Sequence, residues 1–207
     1  MDGWLEQLRA LGEGIDPLQL ARAVPPAGFD GRESAVLIAF AQTDEGLDLL
    51  LIERAQDLST HSGQPAFPGG GREPQDVDAV ATALREAQEE TGLRPEDVTV
   101  LAVLPRLLVP VSQFAVTPVI AHWHSPSDVF PADPHEVANV VRVPVRDLID
   151  PANRIMLRHP SGNTGPAFRV AGLVVWGFTG AVISGLLQAL GWDEPWDEGR
   201  LVPMEVA

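Results

Sequence analysis

A chain of 207 residues with 45% hydrophobic content can enclose one good core, so a single domain with some decoration is expected. Its net charge of −15 argues against a protein that coats nucleic acid or anionic membrane, but leaves room for a small phosphorylated substrate held by a local cluster of cations or metal. The absence of cysteine removes disulfides, thiolate catalysis and cysteine-ligated zinc.

The chain begins Met1-Asp2-Gly3-Trp4-Leu5-Glu6, without the basic start and apolar centre of a signal peptide. The first thirty-odd residues read as helical, with Leu5, Leu8, Leu11, Leu18, Leu20 and Ala23 as apolar positions, and stop at Pro25-Pro26-Ala27-Gly28. Residues 34–40 and 47–52 are apolar runs separated by Thr43-Asp44-Glu45-Gly46, a hairpin pattern. Residues 58–71 read as a loop, and 76–91 as the clearest helix, closed by Gly92 at a left-handed cap with Pro95 beyond. Strands are predicted near 98–104, 115–122, 137–143 and 154–157, with a loop at 125–134. Residues 170–192 carry no charge and are long enough to cross a bilayer. They read instead as a strand over 171–176 and a core helix over 180–190, capped by Thr179, which is too short to span at ~1.5 Å per residue. The tail after Trp192 is acidic and proline-bearing. A soluble, cytoplasmic α/β (α+β) protein is expected, as a monomer or homodimer, with neither nucleic acid nor membrane as partner.

The helix over 77–91 conflicts with local preference. At 3.6 residues per turn, Val77, Val80, Ala81, Leu84 and Ala87 share one side and read as the core-facing stripe. Glu86, Glu89 and Glu90 fall opposite. Glu86 and Glu90 form a like-charge pair at i and i+4, costing roughly 0.2–0.5 kcal/mol. Glu89 and Glu90 occupy the last turn, where the helix dipole favours cations by about 0.3–1 kcal/mol. Arg85 pairs with Glu89 at i+4, but one arginine cannot neutralise three carboxylates. A solvated acidic face is the plain reading. A divalent cation resolves the conflict, and hard oxygen ligands suit Mg²⁺ or Mn²⁺.

The stretch from Gly71 to Leu93, ending in Arg85-Glu86-Ala87-Gln88-Glu89-Glu90-Thr91-Gly92-Leu93, resembles the Nudix box. Counted from Gly71, each fixed position matches except the first glutamate, which is Val77 here, flanked by Asp76 and Asp78. These two acids read as helix-starting residues and receive no metal role. Upstream, Leu51-Ile52-Glu53-Arg54-Ala55 and the run 58–70, through Phe67-Pro68-Gly69-Gly70, resemble the signature of the coenzyme A pyrophosphatase branch.

That resemblance implies a Nudix-type α/β/α sandwich around a mixed β-sheet, over residues 31–192, between an N-terminal helical extension (1–30) and an acidic tail (193–207). It implies Mg²⁺- or Mn²⁺-dependent hydrolysis of the diphosphate bond of a nucleotide substrate of the coenzyme A type. Products would be adenosine 3′,5′-bisphosphate and 4′-phosphopantetheine or its acyl form. Glu86 and Glu90 would bind metal, Glu89 would be an adjacent ligand or base, and Arg85 would orient them. Gly70 or Gly71 would let a backbone carbonyl approach the metal. Arg54, His61 and Arg72 are candidates for substrate contact, and Glu136 for a further acid from a later loop.

Two other enzyme readings stay open, with ADP-ribose or NADH as substrate. A non-catalytic Nudix-fold binding protein also stays open, because of Val77, as does a membrane-associated protein using 170–190. His122-Trp123-His124 places two imidazoles on one strand face, which reads as ordinary sheet rather than zinc for want of a third ligand. Trp176-Gly177-Phe178-Thr179 reads as a packing unit that also caps a helix.

Overall fold

The computed structural model describes residues 3–55, 63–110 and 112–204. Strands β1 (Arg32–Thr43) and β2 (Gly46–Arg54) form the expected hairpin, with Phe40 opposite Leu49 and Thr43 opposite Gly46. Short strands β3 (Pro65–Ala66) and β4 (Gly69–Gly71) lie within the stretch read as loop. They are followed by β5 (Val98–Val103), β6 (Leu107–Val109), β7 (Phe114–Trp123) and β8 (Val137–Pro144). One mixed sheet of eight strands runs β3-β2-β1-β7-β5, with β4 on β1, β6 on β7 and β8 on β2. β1 pairs in parallel with β7 through ten positions, from Arg32–Phe114 to Ala41–Trp123. Its other edge is divided: Ser34 to Val36 pair with β4, and Phe40 to Thr43 with β2.

A period of two along β1 sorts its side chains between the faces. Ala35, Leu37, Ala39 and Ala41 join Ala83 and Ala87 of the helix that follows β4, and Leu93 just beyond its end. That helix, α3 (Ala79–Thr91), packs on β1 and β4. Its fully buried apolar contact positions, Ala83 and Ala87, are small, and enlarging one would cost about 1–3 kcal/mol in overpacking. Ile38 and Phe40 point the other way, into a core with Leu51, Ile120 and four residues of α5 (Gly177–Leu190): Val182, Ile183, Leu186 and Leu187. Leu8 of α1 (Gly3–Ala10) and Leu20 of α2 (Pro17–Leu20) are buried in that same core. Each such fully buried leucine or isoleucine contributes roughly 1.5–3 kcal/mol of transfer free energy. Helices therefore cover both faces of a mixed sheet, as expected of the α/β/α sandwich.

A second sheet, ordered β11-β10-β9-β12, comprises β9 (Arg154–Arg158), β10 (Thr164–Val170), β11 (Leu173–Val175) and β12 (Leu201–Pro203). A five-residue helix, α4 (Val145–Ile149), leads from β8 towards it. Among the described residues no helix is long and apolar enough to cross a membrane.

Several expectations are corrected. The N-terminal region is two short helices with a 3-10 turn (Leu11–Glu13) between them, because Gly14 and Pro17 interrupt the pattern. α3 begins at Ala79, not 76: Asp78 is its N-cap, with Oδ1 accepting from the Ala81 N–H at 2.9 Å. Val77 precedes the helix and is 82% exposed, so it does not belong to the core-facing stripe. Of the rest of that stripe, Ala87 is buried and Val80 and Leu84 pack partly buried against the same cluster, while the fully buried residues of the helix are Thr82, Ala83, Ala87, Glu90 and Thr91. Gly92 does take the left-handed cap, at φ +70°, donating its N–H to Gln88 O. Thr179 does not cap α5. The helix starts at Gly177 with Trp176 at the N-cap, without a side-chain hydrogen bond there, and Thr179 is buried inside the first turn. The strand read over 171–176 is shorter, since Ala171 (φ +51°) and Gly172 (φ +77°) form the hairpin turn between β10 and β11.

Candidate active site

The site is assembled where β4 passes under α3. Gly69 pairs with Val36 and has φ +156°, and a Cβ there would run into the β1 backbone at Ala35 and Val36. Only glycine permits this approach. The benefit is a hydrogen bond from the Gly69 N–H to Glu90 Oε2 at 2.8 Å. At Gly70, a Cβ would lie 2.5 Å from the Glu86 carboxyl carbon, so the space beside this residue belongs to Glu86. Gly71 has open space around it, and its carbonyl accepts from Arg85 Nη2 at 3.0 Å.

Arg85 is the hub. Beyond Gly71, it donates to both oxygens of Asp76 (3.1 and 3.0 Å), to Glu86 Oε1 at 3.1 Å and to Glu89 Oε2 at 2.8 Å. These bonds hold the Asp76 carboxyl well below the usual carboxylate range, helped by the Glu73 N–H and the Thr82 hydroxyl. Asp76 is buried, yet its charge is fully answered. Asp76 thus anchors the arginine, and the residue after it, Val77, turns to solvent.

The three glutamates do not share one solvent-facing side, contrary to the expectation from the wheel. Glu90 is 2% exposed, Glu86 is largely covered, and Glu89 is exposed. The wheel gives an angle about the helix axis but not the strand lying across it, and β4 covers two of the three. Burial pushes the Glu90 carboxyl up to about 8 against the pull of the Gly69 N–H and of Arg54, whose Nη1 lies 3.7 Å from Oε1. The charges of Glu86 and Glu136 raise it further. Glu86 is raised as well, mainly by burial and then, against Arg85, by Glu89 and Glu136.

The structure thus brings together Arg54, Gly70, Arg85, Glu86, Glu89, Glu90 and Glu136. Arg72 stands at the outer side, with Nη1 on Glu33 at 2.9 Å and its other nitrogens directed at the carbonyls of Asp76 and Val77. His61 lies outside the described residues. His122 meets the edge of Trp4 at 5.1 Å and His124 at 6.0 Å, and among the described residues no group of three potential ligands surrounds a point. Sequence reasoning missed Asp76 as the arginine's anchor; its position one residue before the departing Val77 was the available signal.

Donor chemistry fits a divalent cation. Glu86 and Glu90 are hard oxygen donors held in a covered, net-negative corner, where the charge of Glu86 raises the proton affinity of Glu90, and those of Glu89 and Glu136 raise that of Glu86. Mg²⁺ commonly uses one or two protein carboxylates, completing its shell with water and substrate phosphates.

The fold and this carboxylate-arginine site define a Nudix protein: the NUDIX domain family matches residues 31–161, and the chain belongs to that family. Among individual relatives, the chain is 36% identical over 173 residues to the Uncharacterized Nudix hydrolase NudL of Citrobacter koseri, covering 77% of this chain and 83% of that one. The NudL of Klebsiella pneumoniae is 33% identical over 195 residues, covering 87% and 95%. The fold is similar to that of a Nudix hydrolase from M. smegmatis, RenU, at TM-score 0.55 and 22% identity, over 81% of this chain and 90% of that one.

Proposed function

We propose that the protein hydrolyses the diphosphate bond of coenzyme A or its derivatives, releasing adenosine 3′,5′-bisphosphate and 4′-phosphopantetheine or its acyl form. Family membership supports hydrolysis of a diphosphate linkage in general. The coenzyme A assignment rests on one observation. Arg54 belongs to the upstream stretch that resembles the coenzyme A branch, and its guanidinium lies 3.7 Å from Glu90 of the box. The two sequence signatures meet at a single carboxylate.

In the reaction, water adds through its oxygen to one phosphorus, the bridging P–O bond breaks, and the second phosphate leaves with the bridging oxygen. A bound Mg²⁺ or Mn²⁺ would supply polarisation of the phosphoryl oxygens and a more acidic water. Glu86 and Glu90 would hold it. Arg85 keeps Glu86 and Glu89 oriented through its bonds to both, and Asp76 keeps Arg85 in place. Arg54 has its exposed side available to a phosphate oxygen. Glu136 forms no ion pair among the described residues and lies near enough for its charge to raise both Glu86 and Glu90, so it is our choice of proton acceptor, with Glu89 as the alternative.

Product analysis tests the proposal: purified protein with coenzyme A, ADP-ribose or NADH, each with Mg²⁺, Mn²⁺ or chelator. Metal-dependent release of adenosine 3′,5′-bisphosphate, faster than cleavage of the other two, is expected. Preferential cleavage of ADP-ribose or NADH would keep the chemistry and overturn the substrate. Failure to cleave any of them would overturn the assignment of coenzyme A hydrolysis.

A further inference from the structure

The segment between β7 and β8 fastens two parts of the site together. The Phe130 N–H donates to Thr91 O and the Ala132 N–H to Glu90 O, both at 3.1 Å. These carbonyls belong to the last turn of α3, which has no intrahelical donors for them. The Phe130 ring covers the helix end: a Cβ on Gly92 would lie 2.9 Å from its Cε1. The chain then turns sharply at Asp133. Its Oδ1 accepts from the His135 N–H at 2.9 Å, and its carbonyl accepts from the N–H groups of Glu136 and Val137 at 3.1 and 2.9 Å. Pro134 fixes its own φ within this turn. On the far side, the Glu136 carbonyl accepts from the Ala55 N–H at 2.8 Å, and Val137 pairs with Arg54 in the β2–β8 ladder.

Glu136 is thereby clamped from both sides, although its side chain is exposed. The Asp133 turn holds its N–H, the end of β2 holds its carbonyl, and the same loop is tied to the carbonyl of Glu90. An exposed glutamate on an ordinary loop would have no fixed relation to a buried one on a helix. We propose that Asp133 is a positioning residue, whose side-chain and carbonyl bonds set the place of Glu136 relative to Glu86 and Glu90. This inference rests on the reading of Glu136 as proton acceptor given above. Asp133 acts through Glu136 and touches no reacting atom.

Four variants test it: Glu136→Gln, Asp133→Ala, Asp133→Asn and the double variant Asp133→Ala/Glu136→Gln. Their kcat and KM are measured with Mg²⁺ on whichever of coenzyme A, ADP-ribose and NADH the protein cleaves. Asp133→Ala should lower kcat on the order of 10- to 100-fold, as misplacement by about an ångström does, with KM within about twofold. Asp133→Asn should restore most of it, because its Oδ1 accepts the same His135 N–H. The double variant should be no slower than Glu136→Gln alone, since a residue acting only through another has nothing left to remove. Full activity of Asp133→Ala beside an impaired Glu136→Gln would overturn the inference and leave the Glu136 reading standing. An additive double variant would overturn it too. Full activity of Glu136→Gln would overturn both. Without any substrate, amide hydrogen exchange at Glu136 and Val137 should quicken in Asp133→Ala but not in Asp133→Asn, and unchanged exchange would overturn the inference.

Discussion

Asp76 and Arg85 meet in a two-point contact, Nε on Oδ1 at 3.1 Å and Nη2 on Oδ2 at 3.0 Å, across the start of α3. This pairing is two-pronged and largely covered from water, an arrangement that adds geometric specificity to the attraction between arginine and carboxylate.

It follows that Val77→Glu, which would restore the family pattern on paper, should leave turnover within about twofold, because Val77 points to solvent. Asp76→Ala should lower turnover by about tenfold or more and reduce thermal stability, since it releases the arginine that orients Glu86 and Glu89. Stability of the parent should also fall in acid through this pair. The folded Asp76 carboxyl lies below its ordinary range, so its contribution is present above that range and is lost as pH drops beneath it. A thermal-melt series from pH 7 to 3 on parent and Asp76→Asn would read this, and parallel curves would contradict it.

Gly70 and Gly71 should respond differently to alanine. At Gly70 the added methyl would meet Glu86, so turnover should drop on the order of 10²-fold as that carboxylate is displaced. At Gly71 there is open space and no positive φ, so turnover should stay within about twofold. Equal effects at the two positions would show that the crowding beside Glu86 is not what selects glycine.

Glu90→Gln should remove activity and stabilise the metal-free protein in base. The folded carboxyl, pushed up to about 8, contributes stability that is present below the ordinary glutamate range and disappears as pH rises through about 8. Glutamine keeps an oxygen for the Gly69 N–H and carries no charge to bury. Its melting temperature should therefore exceed that of the parent by a few degrees at pH 8.5 in chelator, with turnover reduced at least about 10²-fold. A lower melting temperature for the variant would mean that the buried charge is well compensated.

Mg²⁺ or Mn²⁺ should raise the melting temperature of the parent and of Glu89→Gln, and do so much less in Glu86→Gln and Glu90→Gln. Binding to the folded state alone stabilises it by mass action, about 2.7 kcal/mol at a hundred times Kd. A thermal shift that survives both substitutions would place the ion elsewhere.

Most of the sheet was legible because β1, β2 and β7 alternate or run apolar between clear turns, and Gly92 marked the end of α3. β10 was not, since Gly165 and Pro166 break the run just where it pairs with Met156 and Leu157. The carboxylate cluster was legible as residues but not as environments. Glu89 and Glu90 are adjacent in sequence and differ from exposed to buried only because Gly69 and Gly70, some twenty residues earlier, bring a strand beneath one of them. Likewise, the partner of Arg85 lay nine residues upstream, at a spacing set by a loop and no helical period.

The closure of the second sheet bears on how the molecule may be dissected. β9 falls inside the stretch matched by the family, but its hydrogen-bonding neighbours, β10 on one edge and β12 on the other, both lie beyond residue 161. So do the α5 side chains that fill the core opposite α3, while Leu8 and Leu20 enter that core from before residue 31. A fragment cut at the family boundaries would carry Glu86, Glu89, Glu90 and Glu136 yet expose two unpaired strand edges and half an apolar interior. Kinship in sequence and autonomy in folding have different borders in this chain, and expression of the shorter piece should give aggregates rather than a minimal enzyme.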